Sequence, residues 1–231
     1  MRDMLRRIWK ILRRGPITAI AKLYIVAADH WFDSRYGTDT CGQVPLKDLS
    51  ITSENVERGV RYEPARVVLL RKLFRMIRPL ASPDSACVDL GAGKGRVLLV
   101  ASEFGFTVAT GVEFAHELCE IAERNCEAYR RATDTRAEFR IVESDVVEYP
   151  IGANDNVFLM FNPFDDVIME KVLRNISDSL KAHPRKVLVC LYNSPFVGLF
   201  ERLPEYTKII DRRYWGYHLV VYSNVVSAVS G

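Results

Sequence analysis

The run Cys87-Val88-Asp89-Leu90-Gly91-Ala92-Gly93-Lys94-Gly95-Arg96-Val97-Leu98 constrains this chain more than any other stretch. It joins an apolar strand ending in a carboxylate to a three-glycine turn that opens an apolar helix. A Cβ at such a turn blocks positive φ and keeps the backbone from approaching a ligand closely, so Gly91, Gly93 and Gly95 mark a binding loop of an α/β enzyme. Spacing narrows what the loop holds. A dinucleotide fingerprint G-x-G-x-x-G wants its third glycine at Arg96, and a phosphate loop wants Gly-Lys-Ser/Thr where the chain reads Gly95-Arg96-Val97. Neither fits, and a carboxylate at Asp89 repels a pyrophosphate while favouring a ligand that carries positive charge.

S-adenosylmethionine (SAM), with its ammonium and sulfonium, is such a ligand. Val88-Asp89-Leu90-Gly91-Ala92-Gly93-Lys94-Gly95 resembles the first motif of the class I SAM-dependent methyltransferases, and three later segments follow in that family's order. The apolar stretch Thr107–Val112 ends in Glu113, about 20 residues beyond the glycines, where a carboxylate can accept from both ribose hydroxyls. Phe139–Val146 resembles the adenine-edge segment, in which an acidic side chain accepts from the exocyclic amine and a neighbouring NH reaches a ring nitrogen. Val157–Phe164 resembles the fourth strand and its substrate-facing tip, Asn162-Pro163-Phe164. The resemblance thus implies SAM as cofactor, held by Asp89, Gly91, Ala92, Gly93 and Gly95. It further implies Glu113 with Phe114 on the ribose and Asp145 with Val146 on the adenine. Asn162 lies at the reacting end.

A chain of 231 residues with 48% hydrophobic content builds one full-sized core and an appended segment. The expected organisation is a helical extension with a lid-like stretch over residues 1–60 and a methyltransferase domain over 61–231. Cys41, Cys87, Cys119, Cys126 and Cys190 show neither C-x-x-C spacing nor a disulfide framework, and the four histidines are scattered. Neither a metal nor secretion is expected, and a cytoplasmic protein is. The net charge of +3 divides unevenly, with +5 over residues 1–14 and −2 over the rest. In that first segment Leu5, Ile8, Trp9, Ile11 and Leu12 recur at helical spacing, with Arg2, Arg6, Arg7, Lys10, Arg13 and Arg14 filling the other face. This reads as a basic amphipathic helix, which either lies on an anionic membrane or nucleic acid or packs on the catalytic domain. Gly15-Pro16 stops it.

A second helix is expected from about Ile17 to Phe32, followed by an aperiodic stretch to Gly59 that is long for an inert loop. It leads into Tyr62-Glu63-Pro64, just before a helix of about Ala65–Ile77. The non-SET protein-lysine methyltransferases carry a similar Tyr-x-Pro element bordering the methionine part of SAM, which makes Tyr62 a site candidate. From there the pattern gives strand 86–90, helix 94–104, strand 107–112, helix 115–131, strands 137–143 and 156–161, helix 166–182, strand 186–192, helix 195–202 and strands 206–214 and 217–226. This is a seven-stranded, mostly parallel Rossmann-like sheet, with one strand entering antiparallel through the tight connection Tyr214-Trp215-Gly216-Tyr217.

Methyl transfer from a sulfonium is an in-line displacement, so the protein aligns the acceptor and keeps it unprotonated. Asn162-Pro163-Phe164 resembles the N-P-P-[YF] motif of amino-group methyltransferases, with one proline where that motif has two. Asn162 is therefore the candidate to orient a nitrogen lone pair. Asp165 and Asp166 are candidates either to take a proton or to cap the next helix. Tyr192-Asn193-Ser194-Pro195 is expected to line the acceptor pocket. A protein amine, with lysine in view, is the preferred acceptor. A nucleic acid, a small molecule, or a non-catalytic SAM-binding role are the alternatives.

Overall fold

The computed structural model describes residues 16–42, 44, 63–161 and 164–224. Two helices precede the sheet: α1 (Pro16–Tyr36) and α2 (Val67–Ile77). They are followed by β1 (Ala86–Leu90), α3 (Arg96–Glu103), β2 (Val108–Glu113), α4 (His116–Ala132), β3 (Glu138–Glu143), β4 (Asp155–Met160), α5 (Asp166–Ala182) and β5 (Leu188–Tyr192). A 3-10 turn (Phe196–Arg202) and the strands β6 (Thr207–Tyr214) and β7 (Tyr217–Ser223) close the domain.

The strands lie in the order β3-β2-β1-β4-β5-β7-β6. β7 runs antiparallel between β5 and β6, and the other pairings are parallel. This is the expected Rossmann-like sheet. Trp215 and Gly216, at φ 50 and 89, make the two-residue turn that feeds β7 back into it. Side-chain alternation then builds two cores. On β4, Val157 and Leu159 face α1, α2, α3 and α4, while Phe158 and Met160 face α5. On β1 the same period sends Cys87 and Asp89 to the α3 side and Val88 and Leu90 to the α5 side. The order reverses between β1 and β4, the switch point at which open α/β sheets leave a crevice beyond their carboxyl ends.

Three expectations from the sequence are corrected. The first helix runs four residues past Phe32, because Tyr36 packs on Phe32 and Tyr129 at ring distances of 4.9 and 4.6 Å. Gly37, at φ 67, then ends it, with the Thr38 N–H donating back to the Asp33 carbonyl. Residues 196–202 form a 3-10 turn rather than an α-helix, pinned by Phe200 stacked on Tyr222 at 3.8 Å. β7 stops at Ser223, because the Asn224 side chain turns to the Val187 N–H and the Arg185 carbonyl.

Gly111 sits in the middle of β2, paired with Asp89 of β1, and a Cβ there would lie 2.7 Å from the Ala92 Cβ and 3.2 Å from Leu98. The strand approaches the glycine loop this closely only without a side chain. Gly111→Ala is expected to cost about 1–3 kcal/mol through overpacking and to lower the Tm by about 2–4 °C per kcal/mol. Thermal unfolding followed by circular dichroism measures it.

Candidate active site

The loop Gly91–Gly95 leaves β1 and opens α3 with all three glycines at positive φ, 85, 52 and 80. Gly95 is the N-cap of α3 in the left-handed region, and a Cβ on it would press on Ala122 of α4 at 3.2 Å. Three of the loop amides are already committed at its start. Gly91 and Ala92 both donate to the Val112 carbonyl, and Gly93 donates to Glu113 Oε2 at 2.8 Å.

Glu113, at the end of β2, is buried. Its other oxygen accepts from the N–H groups of Phe114 and Ala115 at 3.0 and 3.1 Å, so the carboxylate ties the glycine loop to the start of α4. Burial pushes its pKa up, and the bonds from Ala115, Gly93 and Phe114 only partly offset this. Asp89 is 3% exposed. Burial, and secondarily the charge of Glu113, hold its carboxyl well above the usual range. Asp145 lies one residue past the point where the Ser144 N–H donates to the Glu113 carbonyl, and its side chain accepts from the Val147 N–H at 3.0 Å. Val146 packs beside it against the α5-side core. The structure thus gathers Asp89, Gly91, Ala92, Gly93, Gly95, Glu113, Phe114, Asp145 and Val146 at the carboxyl ends of β1, β2 and β3.

Tyr62 and Asn162, with Pro163, lie outside the described residues. Their neighbours are placed. Pro64 is buried and Phe161 packs against Tyr192 with ring centroids 4.5 Å apart. Phe164, expected beside the chemistry, is instead packed in the core under α5. Tyr192, expected in the acceptor pocket, is 1% exposed, with its hydroxyl accepting from the Arg66 N–H. The size of both rings favours packing over a wet cleft. Asp165 is the N-cap of α5, accepting from the Ile168 N–H at 3.0 Å, and Asp166 accepts from Val167 in the same turn.

One cluster escaped the reading of the sequence. Arg96, the first residue of α3, is 2% exposed and donates to Thr40 Oγ1 at 2.7 Å, the Ala65 carbonyl at 2.9 Å and Cys41 Sγ at 3.1 Å. Asp29 and Asp33 of α1 lie 3.3 and 3.9 Å from its guanidinium. Asp29 also accepts from Arg66 at 3.0 Å and from the Val67 N–H at 2.9 Å, which caps α2 from a different helix. Lys94 reaches both oxygens of Asp39 at 3.1 Å, and Asn125 of α4 binds the Asp39 backbone and the Lys94 carbonyl. Residues 38–41 are thereby fastened directly to the glycine loop. A charged residue at the head of the otherwise apolar Val97-Leu98-Leu99-Val100, with carboxylates one helical turn apart in α1, was the available signal.

A family model described as Histone methylation protein DOT1 matches residues 69–144, from α2 past the end of β3. That span holds Asp89, the glycine loop and Glu113. The chain is a SAM-dependent methyltransferase. Among solved structures, an RNA methyltransferase from Salinibacter ruber in complex with S-adenosyl-L-homocysteine superposes with a TM-score of 0.54 at 15% identity, covering 73% of this chain and 98% of that one. The Escherichia coli protein yhhF, described as a methyltransferase, does so at 0.53 and 18%, covering 79% and 98%. Identities this low speak for the fold alone. No curated protein shows significant similarity.

SAM is the methyltransferase's cofactor, and the site fits it on chemical grounds. A buried carboxyl held above its ordinary range beside a second acid favours a cation, and the SAM ammonium is one.

Removing the Arg96 charge leaves two carboxylates facing each other behind the loop. Arg96→Met is expected to destabilise the methyltransferase by about 3–5 kcal/mol, with Arg96→Lys recovering little because an ammonium cannot make the forked contacts. Burial raises the Asp33 pKa, but bonds from Cys41, Thr40 and Thr38 and the charge of Arg96 outweigh it and hold the net value below 3.8. Asp33 therefore adds stability that is present above 3.8 and lost as the pH falls through its lower folded value. Urea midpoints measured across the acid limb are expected to fall less steeply with acid in Asp33→Asn than in the wild type.

Proposed function

We propose that the methyltransferase transfers its methyl group to an amine nitrogen of a protein, with a lysine side chain the acceptor that fits best. The observation that carries this is the match of residues 69–144 to a family described by histone methylation, a protein acceptor. The sequence Tyr62-Glu63-Pro64 ahead of α2 agrees with it. Outside residues 1–14 the chain carries −2, which is poor complement to a phosphate backbone and counts against a nucleic-acid acceptor. The reading of an RNA acceptor draws on the Salinibacter ruber protein, whose likeness is one of fold.

In this proposal each residue has a physical task. SAM supplies a methyl group on a sulfonium, a leaving group that needs no acid. Asp89 accepts from the cationic amine of the cofactor, which converts its costly burial into an ion pair. Glu113 keeps its three bonds to the loop and to the start of α4 and offers the lone pair left on Oε2 to a ribose hydroxyl. Asp145 and the backbone at Val146 take the adenine edge. Asn162, beyond β4, accepts from the acceptor N–H and so points the nitrogen lone pair at the methyl, with Tyr62 closing the other side. The work is alignment and exclusion of water.

A carboxyl whose folded pKa is raised costs nothing below its unfolded pKa, where both states are protonated; the cost grows as pH rises from the unfolded to the folded value and is complete above it. Asp89→Asn is therefore expected to raise the Tm of the free protein at neutral pH while weakening SAM at least tenfold, roughly the loss of one charge-assisted hydrogen bond. Below the folded pKa of Asp89, wild-type SAM affinity is expected to tighten with rising pH by at most about tenfold per unit as one proton is released, and Asp89→Asn is expected to flatten that slope. Calorimetry over a pH series tests both. The acceptor is tested by incubating the enzyme and tritiated SAM with a cell lysate. Label that is lost to protease and kept after nuclease supports a protein, and the reverse excludes it.

A further inference from the structure

We infer that the outer face of α1 docks the methyltransferase onto an anionic lipid bilayer. α1 is apolar on two opposite faces. The inner one, with Ile25 and Phe32 at 1% and 0% exposure, packs on the domain. The outer one presents Ile20, Leu23, Tyr24 and Trp31 at 66, 72, 57 and 57% exposure. Positions 20, 23, 24, 27 and 31 share one side of a helix, so these side chains form a continuous stripe with Ala27 between them. Scattered exposed apolar residues need no explanation, but a contiguous strip of this kind marks a docking surface.

Charge identifies the occupant. The residues directly before α1 carry six basic side chains and one acid within positions 1–14, interleaved with Leu5, Ile8, Trp9 and Leu12; they lie outside the described residues and enter through their sequence alone. An anionic bilayer satisfies both features at once, with lipid tails for the stripe, headgroups for the arginines, and Trp31 and Tyr24 suited to the boundary. A nucleic acid leaves the stripe in water, and a second copy brings two +5 segments together. Among the described residues no helix is long and apolar enough to cross a membrane, so α1 lies on the surface. Asp29 on its inner face is bound to Arg66 and Arg96, and a docked α1 therefore carries the catalytic domain with it.

The test is sedimentation of the full chain with phosphatidylcholine vesicles, with and without phosphatidylserine. Leu23→Glu/Trp31→Glu removes the stripe, and Arg6→Gln/Arg7→Gln/Arg13→Gln/Arg14→Gln removes charge. Binding is expected on the anionic vesicles only, with each variant losing at least about tenfold and SAM affinity by calorimetry staying at the wild-type value. In a Trp9→Phe/Trp215→Phe background, brominated lipids are expected to quench Trp31. The proposal is overturned by a stripe variant that partitions like the wild type, or by an unquenched Trp31. Self-association that disappears in the stripe variant without lipid would assign the face to a second copy. RNA binding that survives in the stripe variant, with no form binding vesicles, would assign the basic segment to nucleic acid.

Discussion

The loop between β1 and α3 depends on a close approach between two strands and a turn. Gly91, Gly93 and Gly95 bend the chain through positive φ, and Gly111 on the adjacent strand leaves the room that Ala92 and Leu98 fill. With that approach made, the Val112 carbonyl can take the Gly91 and Ala92 N–H groups and Glu113 can take that of Gly93. The position of Glu113, the direction of α3 and the burial of Asp89 all follow from it. A side chain at Gly111 would displace the glycine loop from the neighbouring strand through Ala92 and Leu98.

The site is held from behind as well. Arg96 is the first residue after the third glycine, and its guanidinium gathers Thr40, Cys41, the Ala65 carbonyl, Asp29 and Asp33 into one buried cluster. A buried cation of this kind is weak evidence for net stability, because desolvation consumes much of the attraction. Its value is positional. It fixes α1, the segment 38–41 and the start of α2 relative to the loop, and Asp29 serves α2 as an N-cap that α2's own Arg66 does not supply.

The parts that could be read from the sequence are those whose signal is local. Strand periodicity set β1 to within a residue, and the helix from Asp166 to Ala182 was bounded by Asp165, a capping residue with a visible role. The glycine spacing and Glu113 were legible because turn geometry and strand ends are local too. What was missed depends on distant partners. The last turn of α1 is polar in sequence and is stabilised by Tyr129, nearly a hundred positions away. Arg96 looked like a mere departure from a dinucleotide motif, since its acids belong to a helix some sixty positions earlier. Tyr192 and Phe164 followed recognisable strand tips, and only packing shows that their rings turn inward.

The electrostatics of the crevice also decide between ligands in a way that motif spacing alone does not. A phosphate-binding loop works by presenting free backbone N–H groups to an anion. Here Gly91, Ala92 and Gly93 have already given theirs to Val112 and Glu113, the acids Asp89 and Glu113 sit at the ends of the two strands beside the loop, and Lys94 of the loop is engaged by Asp39. An anionic group brought to this loop would meet occupied donors and like charge. A cationic one would lower the pKa of Asp89 and remove the penalty that its burial imposes. With one carboxylate before it and one at the end of the next strand, the same backbone turn that elsewhere cradles phosphate suits a cation better than an anion here.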